Sequence, residues 1–184
     1  RNTVLISPRR MGKSGLIENV FFQPQVRKKY LTFNIDIMNT CSEKEFVFML
    51  TKNVLNKVQP LGRKFLEAFV ASMKSISASF SIKFPFGDIC FSYTPDTIKK
   101  PETTLEELFR YLDSTEKTSI LAIDEFQQIA EYPNGKQLLA YIRSLVQKSK
   151  RTRFIFSGSS RRMMEKLFSE PSEPFFQSCS PVYL

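Results

Sequence analysis

The stretch that decides the fold is Ser7-Pro8-Arg9-Arg10-Met11-Gly12-Lys13-Ser14, with Gly15 directly after it. A short apolar run of the β type, Thr3 to Ile6, precedes it, and apolar residues with helical spacing follow over 16–21. Backbone N–H groups in such a strand–loop–helix turn can surround phosphate groups, and the positive end of the helix dipole attracts them. The sequence therefore predicts a phosphate-binding loop between the first strand and the first helix.

Particular residues of this loop suit contacts with a nucleotide and its metal ion. Gly12 would let the backbone approach the phosphates, Lys13 would reach the β- and γ-phosphate oxygens, and Ser14 would ligate Mg²⁺. Ser7 stands where the phosphate-loop pattern has a glycine, and a small residue can still make that turn. The residues that we expect around the phosphates are Ser7, Pro8, Arg9, Arg10, Met11, Gly12, Lys13, Ser14 and Gly15.

The loop also has an alternative interpretation. Gly-Lys-Ser occurs by chance at the start of ordinary helices, and the strand–loop–helix setting is what makes the match specific. Arg9 and Arg10 occupy variable positions of the loop, where each can face a phosphate, a neighbouring subunit or solvent. The setting favours nucleotide binding over a chance match.

A second apolar strand ends in two acidic residues. Residues 119–123 read Ser-Ile-Leu-Ala-Ile, and Asp124 and Glu125 follow directly. The carboxyl ends of parallel strands share one crevice, so both acids would face the phosphate-binding loop. Asp124 would hold Mg²⁺ through water, and Glu125 would act as general base on the attacking water. The alternative is a helix start, where the helix dipole favours Asp and Glu.

Apolar strands alternate with amphipathic helices along most of the chain. Further strands are predicted at 30–37, 154–156 and 181–184. Such alternation predicts a parallel sheet with helices on both of its faces. Residues 79–93 differ, because apolar and polar residues alternate on both sides of Pro85-Phe86-Gly87-Asp88, which indicates a β-hairpin.

The composition excludes several classes of function. The 184 residues include no histidine, so Ser-His-Asp and Cys-His nucleophilic systems are excluded, along with most zinc sites. The cysteines Cys41, Cys90 and Cys179 form no C-x-x-C pair, so we expect neither a disulfide framework nor a structural metal. A reducing cytoplasm is the expected location, and no apolar run is long enough for membrane insertion.

Positive charge is concentrated towards the two ends of the sequence. The net charge is +9, and residues 1–36 hold seven Lys or Arg against two acids. Residues 119–184 hold nine Lys or Arg against six acids. These basic flanks fit an anionic surface, so we expect a DNA or protein partner there. The alternative is that the cations of 148–153 form a solvated helix end and loop.

Three segments together carry a resemblance to a known family: SPRRMGKS at 7–14, LAIDEFQQIA at 121–130 and RFIFSGSS at 153–160. The chain resembles the prokaryotic AAA+-related P-loop ATPases of the archaeal-ATPase type, which lie near the STAND class of signalling NTPases. The resemblance implies an α/β fold, the P-loop NTPase three-layer α/β/α sandwich. Its mainly parallel central sheet would have the order 5-1-4-3-2, and the hairpin would be an insertion. Ser157, Gly158 and Ser159 match the sensor position, where Ser159 would sense the γ-phosphate or orient water.

The sequence departs from the family pattern at several places. Similar proteins often carry a Tyr-Gly-Arg-like run where this chain has Phe176-Gln177-Ser178, so no arginine is assigned there. The serines of 157–159 can equally form a turn and a helix cap before Arg161. We expect residues 1–184 to be one P-loop ATPase core domain, a fragment without its N-terminal segment and its C-terminal lid or winged-helix domain.

The resulting prediction is an ATPase domain that uses ATP and Mg²⁺ to drive a conformational switch in a larger protein. Glu125, Lys13 and Ser159 are the expected catalytic residues, and Ser14 and Asp124 the expected metal ligands. ATP is expected rather than GTP by resemblance, because no guanine-reading N-K-x-D segment occurs. Nucleotide-dependent self-association is a further expectation. Two alternatives stay open: a nucleotide- or nucleic-acid-binding module without turnover, and a small-molecule P-loop kinase.

Overall fold

The described residues form a five-stranded parallel sheet and a two-stranded antiparallel sheet. The computed structural model describes residues 1–8, 11–83, 88–91 and 94–184. In chain order, the strands are β1 Thr3–Ile6, β2 Tyr30–Asp36, β3 Phe80–Lys83, β4 Asp88–Phe91, β5 Thr118–Asp124, β6 Thr152–Gly158 and β7 Ser180–Tyr183. The α-helices are α1 Lys13–Phe22, α2 Pro24–Lys29, α3 Glu43–Val58, α4 Arg63–Ser72, α5 Pro101–Ser114, α6 Gly135–Lys148 and α7 Arg161–Ser169. Short 3-10 helices span Gln59–Leu61, Lys74–Ser79, Pro95–Thr97 and Phe126–Glu131.

The strand order of the larger sheet is β2-β5-β6-β1-β7, and each neighbouring pair is parallel. Numbered among themselves and taken from the other edge, these five strands have the order 5-1-4-3-2, so the predicted order is confirmed. In register, Asp36 pairs with Asp124, and Ile6 pairs with Gly158. The ends of β1, β2, β5 and β6 therefore meet at one edge of the sheet.

Alternation along the strands divides the core between the two faces of the sheet. Leu121 and Ile123 belong to a large buried cluster that includes residues of α3 to α7. Ala122 belongs instead to a small cluster that contains Ile17 and Phe21 of α1. Because successive side chains of a strand point to opposite faces, helices cover both sides of the sheet. The result is the predicted three-layer α/β/α arrangement.

Helix α1 buries only part of its apolar surface. Ile17 and Phe21 are buried, whereas Leu16 and Val20 are 43% and 40% exposed. Phe22, the last residue of the helix, is 69% exposed. The apolar spacing over 16–21 thus predicted the helix correctly, but it did not indicate which apolar side chains meet the sheet.

The predicted hairpin is present as the antiparallel pair β3 and β4. In register, Phe80 pairs with Phe91, and Lys83 pairs with Asp88. The predicted turn residues Pro85, Phe86 and Gly87 lie outside the described residues. The pair forms its own sheet, so it is an insertion between α4 and α5 and not an extension of the parallel sheet.

Candidate functional site

A cavity of about 420 Å³ opens at the edge where the parallel strands end. It is lined by Gly12, Lys13, Ser14, Gly15, Met38, Glu125 and Ser159. Gly12 belongs to the loop between β1 and α1, and the next three residues form the start of α1. The other three lining residues follow β2, β5 and β6. Ligands of open parallel sheets bind at this edge, so the position of the cavity is the one expected for a binding site.

The loop between β1 and α1 has a glycine where its backbone requires one. Gly12 has a φ of 78°, in the left-handed region, and its carbonyl accepts the first hydrogen bond of α1 from the N–H of Leu16. A side chain at this position would have open space, so the backbone conformation is what favours glycine. The left-handed turn directs the chain from the strand into the helix and places Lys13 at the helix start.

The Lys13 ammonium contacts the loop that precedes α1. Its Nζ donates to the Ser7 carbonyl at 3.0 Å, to Ser7 Oγ at 3.1 Å and to the Pro8 carbonyl at 3.1 Å. Lys13 is only 6% exposed, and Ser7 is 1% exposed. Ser7 therefore adds a hydroxyl contact to the lysine that the glycine of the usual pattern could not make.

Asp124 connects the phosphate loop to two strands of the sheet. Its Oδ2 accepts from Ser14 Oγ at 2.5 Å, and its Oδ1 accepts from Ser157 Oγ at 2.6 Å. The N–H of Glu125 also donates to Oδ1, at 3.0 Å. Asp124 is 5% exposed, so this carboxylate is buried and is held by two hydroxyl groups and one N–H. Ser14 and Asp124, far apart in sequence, are thus in direct contact.

The oxygen atoms of this contact fit a hard divalent cation. A hydroxyl and a carboxylate are ligands that Mg²⁺ accepts, and Mg²⁺ usually keeps several waters and takes further oxygens from substrate phosphates. Among the described residues, no group of three His, Cys, Asp or Glu side chains is placed to hold a metal ion. A cation at Ser14 and Asp124 would therefore take its remaining ligands from water and from a bound phosphate.

Glu125, the residue between β5 and the following 3-10 helix, has an unusual backbone conformation. Its φ is 57° and its ψ is 37°, a left-handed conformation that is uncommon for residues other than glycine. Its Oε2 accepts from Ser159 Oγ at 2.7 Å and from the Ser159 N–H at 3.3 Å. Gln127 Nε2 donates to the same oxygen at 2.5 Å. An uncommon conformation held by several contacts is typical of functional sites.

The structure brings most of the predicted site residues together. Gly12, Lys13, Ser14, Gly15, Glu125 and Ser159 line the cavity, and Asp124 contacts Ser14 below it. Ser7 and Pro8 contribute through their bonds to Lys13. Met11 is 57% exposed and is not among the lining residues, while Arg9 and Arg10 lie outside the described residues. The roles of all these residues in binding and catalysis stay predictions.

Sequence reasoning missed the contributions of Ser157 and Gln127. Ser157 belongs to the predicted sensor position, and its hydroxyl donates to Asp124. Gln127 belongs to the segment at 121–130, for which the sequence predicts no role of this residue, and its side chain donates to Glu125. For Ser157, its place at the end of an apolar core strand was a usable signal, because a hydroxyl buried there needs a hydrogen-bond partner.

Comparison with known proteins supports the fold. No protein-family profile matches the chain, and no curated protein matches its sequence. Among solved structures, it is similar to a Walker-type ATPase of Pyrococcus abyssi, with a TM-score of 0.59 and 20% identity over 98% of this chain and 47% of the other. It is also similar to the Orc1 protein of Aeropyrum pernix, solved in complex with DNA, with a TM-score of 0.54 and 14% identity over 100% of this chain and 38% of the other. The chain thus spans less than half the length of these proteins, and at such identities the likeness shows a P-loop ATPase fold alone.

Proposed function

We propose that this chain is an ATP-binding, Mg²⁺-dependent ATPase domain that switches the conformation of a larger protein. The observation that carries the proposal is the 2.5 Å contact between Ser14 Oγ and Asp124 Oδ2, which joins the phosphate loop to the acidic strand end. Lys13 and Glu125 line the cavity next to this contact. We also propose that the chain is related to the archaeal-type ATPases and the STAND NTPases. Residues 1–184 would then form the core domain, and the lid would be a separate domain.

Phosphate binding would use the loop and Lys13. The ammonium now bonds to three neutral oxygens of Ser7 and Pro8, and it would exchange them for charged phosphate oxygens. The ammonium is attracted more strongly to an anionic phosphate oxygen than to a neutral carbonyl or hydroxyl oxygen, so this exchange favours binding. Ser14 and Asp124 would hold Mg²⁺, which neutralises charge on the phosphate oxygens when bound.

Glu125 would act on the attacking water. Its carboxylate would accept a proton from the water while the water oxygen forms a bond to the γ-phosphorus. The bond between that phosphorus and the bridging oxygen breaks, and ADP leaves with its electron pair. Ser159 contacts Glu125 and lines the cavity, and it would orient either the carboxylate or the γ-phosphate.

The proposal also includes a partner and a location. The Orc1 neighbour was solved with DNA, and the net charge of this chain is +9, so we propose a DNA or protein partner at the basic flanks. Nucleotide-dependent self-association is part of the proposal.

None of the described helices is both long and apolar enough to cross a membrane. Cys41 and Cys179 are free thiols, which fits the reducing cytoplasm that we propose as the location.

The test replaces the carboxylate of Glu125, the proposed general base, with an amide of the same shape. In the full-length protein, Glu125→Gln should lower the rate of phosphate release by about 10²–10⁴-fold, the usual contribution of a positioned base. The affinity for ATP–Mg²⁺ should stay nearly unchanged, because the phosphates and the metal contact other residues. Glu131→Gln, which changes an exposed carboxylate six residues further along, is the matched control and should change neither quantity.

The opposite result has a definite meaning. If Glu125→Gln releases phosphate at the wild-type rate, Glu125 is only an acid at a helix start. The nucleotide- or nucleic-acid-binding module without turnover would then be the better interpretation.

A further inference from the structure

Gln127 is a buried polar residue that the reaction described above does not use. It is 8% exposed, and its Nε2 donates to Glu125 Oε2 at 2.5 Å. Its other polar atom, Oε1, is buried and has no hydrogen-bond partner among the described residues. Burying an amide oxygen without a partner is unfavourable, so the position of this side chain needs a compensating contact. The bond to Glu125 is the contact that the structure provides.

The space for Gln127 comes from Gly158 at the end of β6. A Cβ atom added to Gly158 would lie 2.0 Å from Gln127 Oε1 and 2.6 Å from Met164 Sδ. Gly158 does not have a positive φ, so its backbone conformation does not require glycine. The close approach of Gln127 and Met164 is what excludes a side chain there. Gln127 of the 3-10 helix after β5 and Met164 of α7 thus both lie against Gly158 of β6.

Within the described ranges, the hydrogen bonds that hold the Glu125 carboxylate all reach the same oxygen, Oε2. Oε2 accepts from Gln127 Nε2 and from both the N–H and the hydroxyl of Ser159. Across the described part of the chain, no hydrogen bond to Oε1 is found. Because Glu125 lines the cavity, a carboxylate fixed through Oε2 keeps the lone pairs of Oε1 for a water molecule there.

We propose that Gln127 is a positioning residue that fixes Glu125 through Oε2 and thereby presents Oε1 to the attacking water. This inference rests on the proposed ATPase function. A general base acts only within hydrogen-bond reach of the proton that it removes. Without Gln127, the carboxylate has one anchor fewer and rotates away from that geometry. The rate of hydrolysis then falls, while nucleotide binding does not change.

The kinetic experiment compares neighbouring glutamines in the full-length protein. Gln127→Met keeps the length of the side chain and removes its donor, and it should lower kcat by about 10- to 100-fold, as is usual for residues that orient a reacting group. The Kd for ATP–Mg²⁺ should not change. Gln128→Met, at the half-buried neighbouring position, should leave kcat within about 2-fold, the spread of ordinary context effects. In a Glu125→Gln background, Gln127→Met should cause no further loss, because Gln127 acts through Glu125.

A second measurement does not depend on hydrolysis. In protein carrying carbon-13 at its glutamate carboxyl groups, the Glu125 signal is identified by its loss in Glu125→Gln. Without nucleotide, this signal should shift in Gln127→Met and keep its position in Gln128→Met. A signal that does not move overturns the inference, whatever the turnover. A shifted signal in a protein that does not hydrolyse ATP supports the contact and counts against the ATPase function instead.

One further kinetic result would also overturn the inference. If the wild-type protein hydrolyses ATP and Gln127→Met retains its kcat, Gln127 has no part in positioning the base. If Gln127→Met lowers kcat in the Glu125→Gln background by as much as it does in the wild type, Gln127 acts by a route other than Glu125. That result would also overturn the inference.

Discussion

Two aspartates at opposite edges of the sheet are each held by several hydrogen bonds, but their donors differ in kind. At the carboxyl edge, Asp124 accepts from the hydroxyls of Ser14 and Ser157 and from one N–H. At the amino edge, Asp113 of α5 accepts from the N–H groups of 150, 151 and 152, at 2.7, 3.2 and 2.8 Å. The hydroxyl of Thr152 donates to Asp113 as well, at 2.7 Å.

The difference separates a structural carboxylate from one that can change partners. Backbone N–H groups at the start of β6 cannot move without disturbing the strand, so Asp113 fixes the entry of the chain into the sheet. A serine hydroxyl can rotate and can act as a ligand as well as a donor, so Ser14 can exchange its bond to Asp124 for a metal ion. We therefore expect Asp124 to affect metal use and Asp113 to affect stability.

Of the two aspartates, Asp124 is expected to show the larger effect when it is substituted, and that effect is on the use of Mg²⁺. Asp124→Asn removes the negative charge that would hold the cation, so the Mg²⁺ concentration for half-maximal turnover should rise by about 10- to 100-fold. The measurement is the rate of phosphate release as a function of Mg²⁺ concentration. The free energy of unfolding without metal should change little, because asparagine can still accept from one of the two serines. If Asp124→Asn lowers the free energy of unfolding and leaves the Mg²⁺ dependence unchanged, Asp124 has the same structural role as Asp113. That result would contradict the distinction between the two aspartates.

The next effect is expected at Asp113. Asp113→Asn replaces a charged acceptor of several hydrogen bonds, so the free energy of unfolding should fall by about 2 kcal/mol. Denaturant titration measures this change, and Asp96→Asn, at an exposed position, is the control. The affinity for ATP should be the same in the wild type, Asp113→Asn and Asp96→Asn. An Asp113 variant with unchanged stability would contradict the structural role.

The dependence of this loss on pH is a finer test of the same substitution. Partial burial raises the pKa of Asp113, but the hydrogen bonds from Lys150, Thr152 and Arg151 outweigh it and hold the pKa below its ordinary value. A carboxyl with a lowered folded-state pKa contributes its full stability above its unfolded-state pKa. That contribution is lost as the pH falls through the folded-state pKa. The stability difference between wild type and Asp113→Asn should therefore be largest near neutral pH and shrink in acid.

The sequence predicted the large features of the site because they follow from local patterns. An apolar strand before Gly12-Lys13-Ser14, and another before Asp124-Glu125, were sufficient to place both segments at the same edge of a parallel sheet. The strand order came from the family resemblance, since loop lengths and apolar patterns do not determine which strands are neighbours. The hairpin was visible through its alternation.

The features that the sequence did not predict depend on contacts between distant segments. The direction of the Gln127 side chain depends on the left-handed backbone of Glu125, which a glutamate does not signal in a sequence. Asp113 belongs to no motif, and its donors lie 37 to 39 residues away. The burial of α1 depends on which of its apolar side chains meet the sheet, and in the structure Ile17 and Phe21 form a cluster there with Ala122.

The central claim, nucleotide binding at the phosphate loop, is tested most directly by calorimetric titration of ATP–Mg²⁺ into the full-length protein and two lysine variants. Lys13→Ala should weaken the affinity by about 10- to 150-fold, because it removes a charge-assisted contact worth about 1.5–3 kcal/mol. Lys136→Ala is the matched control, because Lys136 also follows a glycine at the start of a helix but is exposed. We predict wild-type affinity for Lys136→Ala. Equal affinity in all three proteins would contradict the assignment of the loop as the phosphate site.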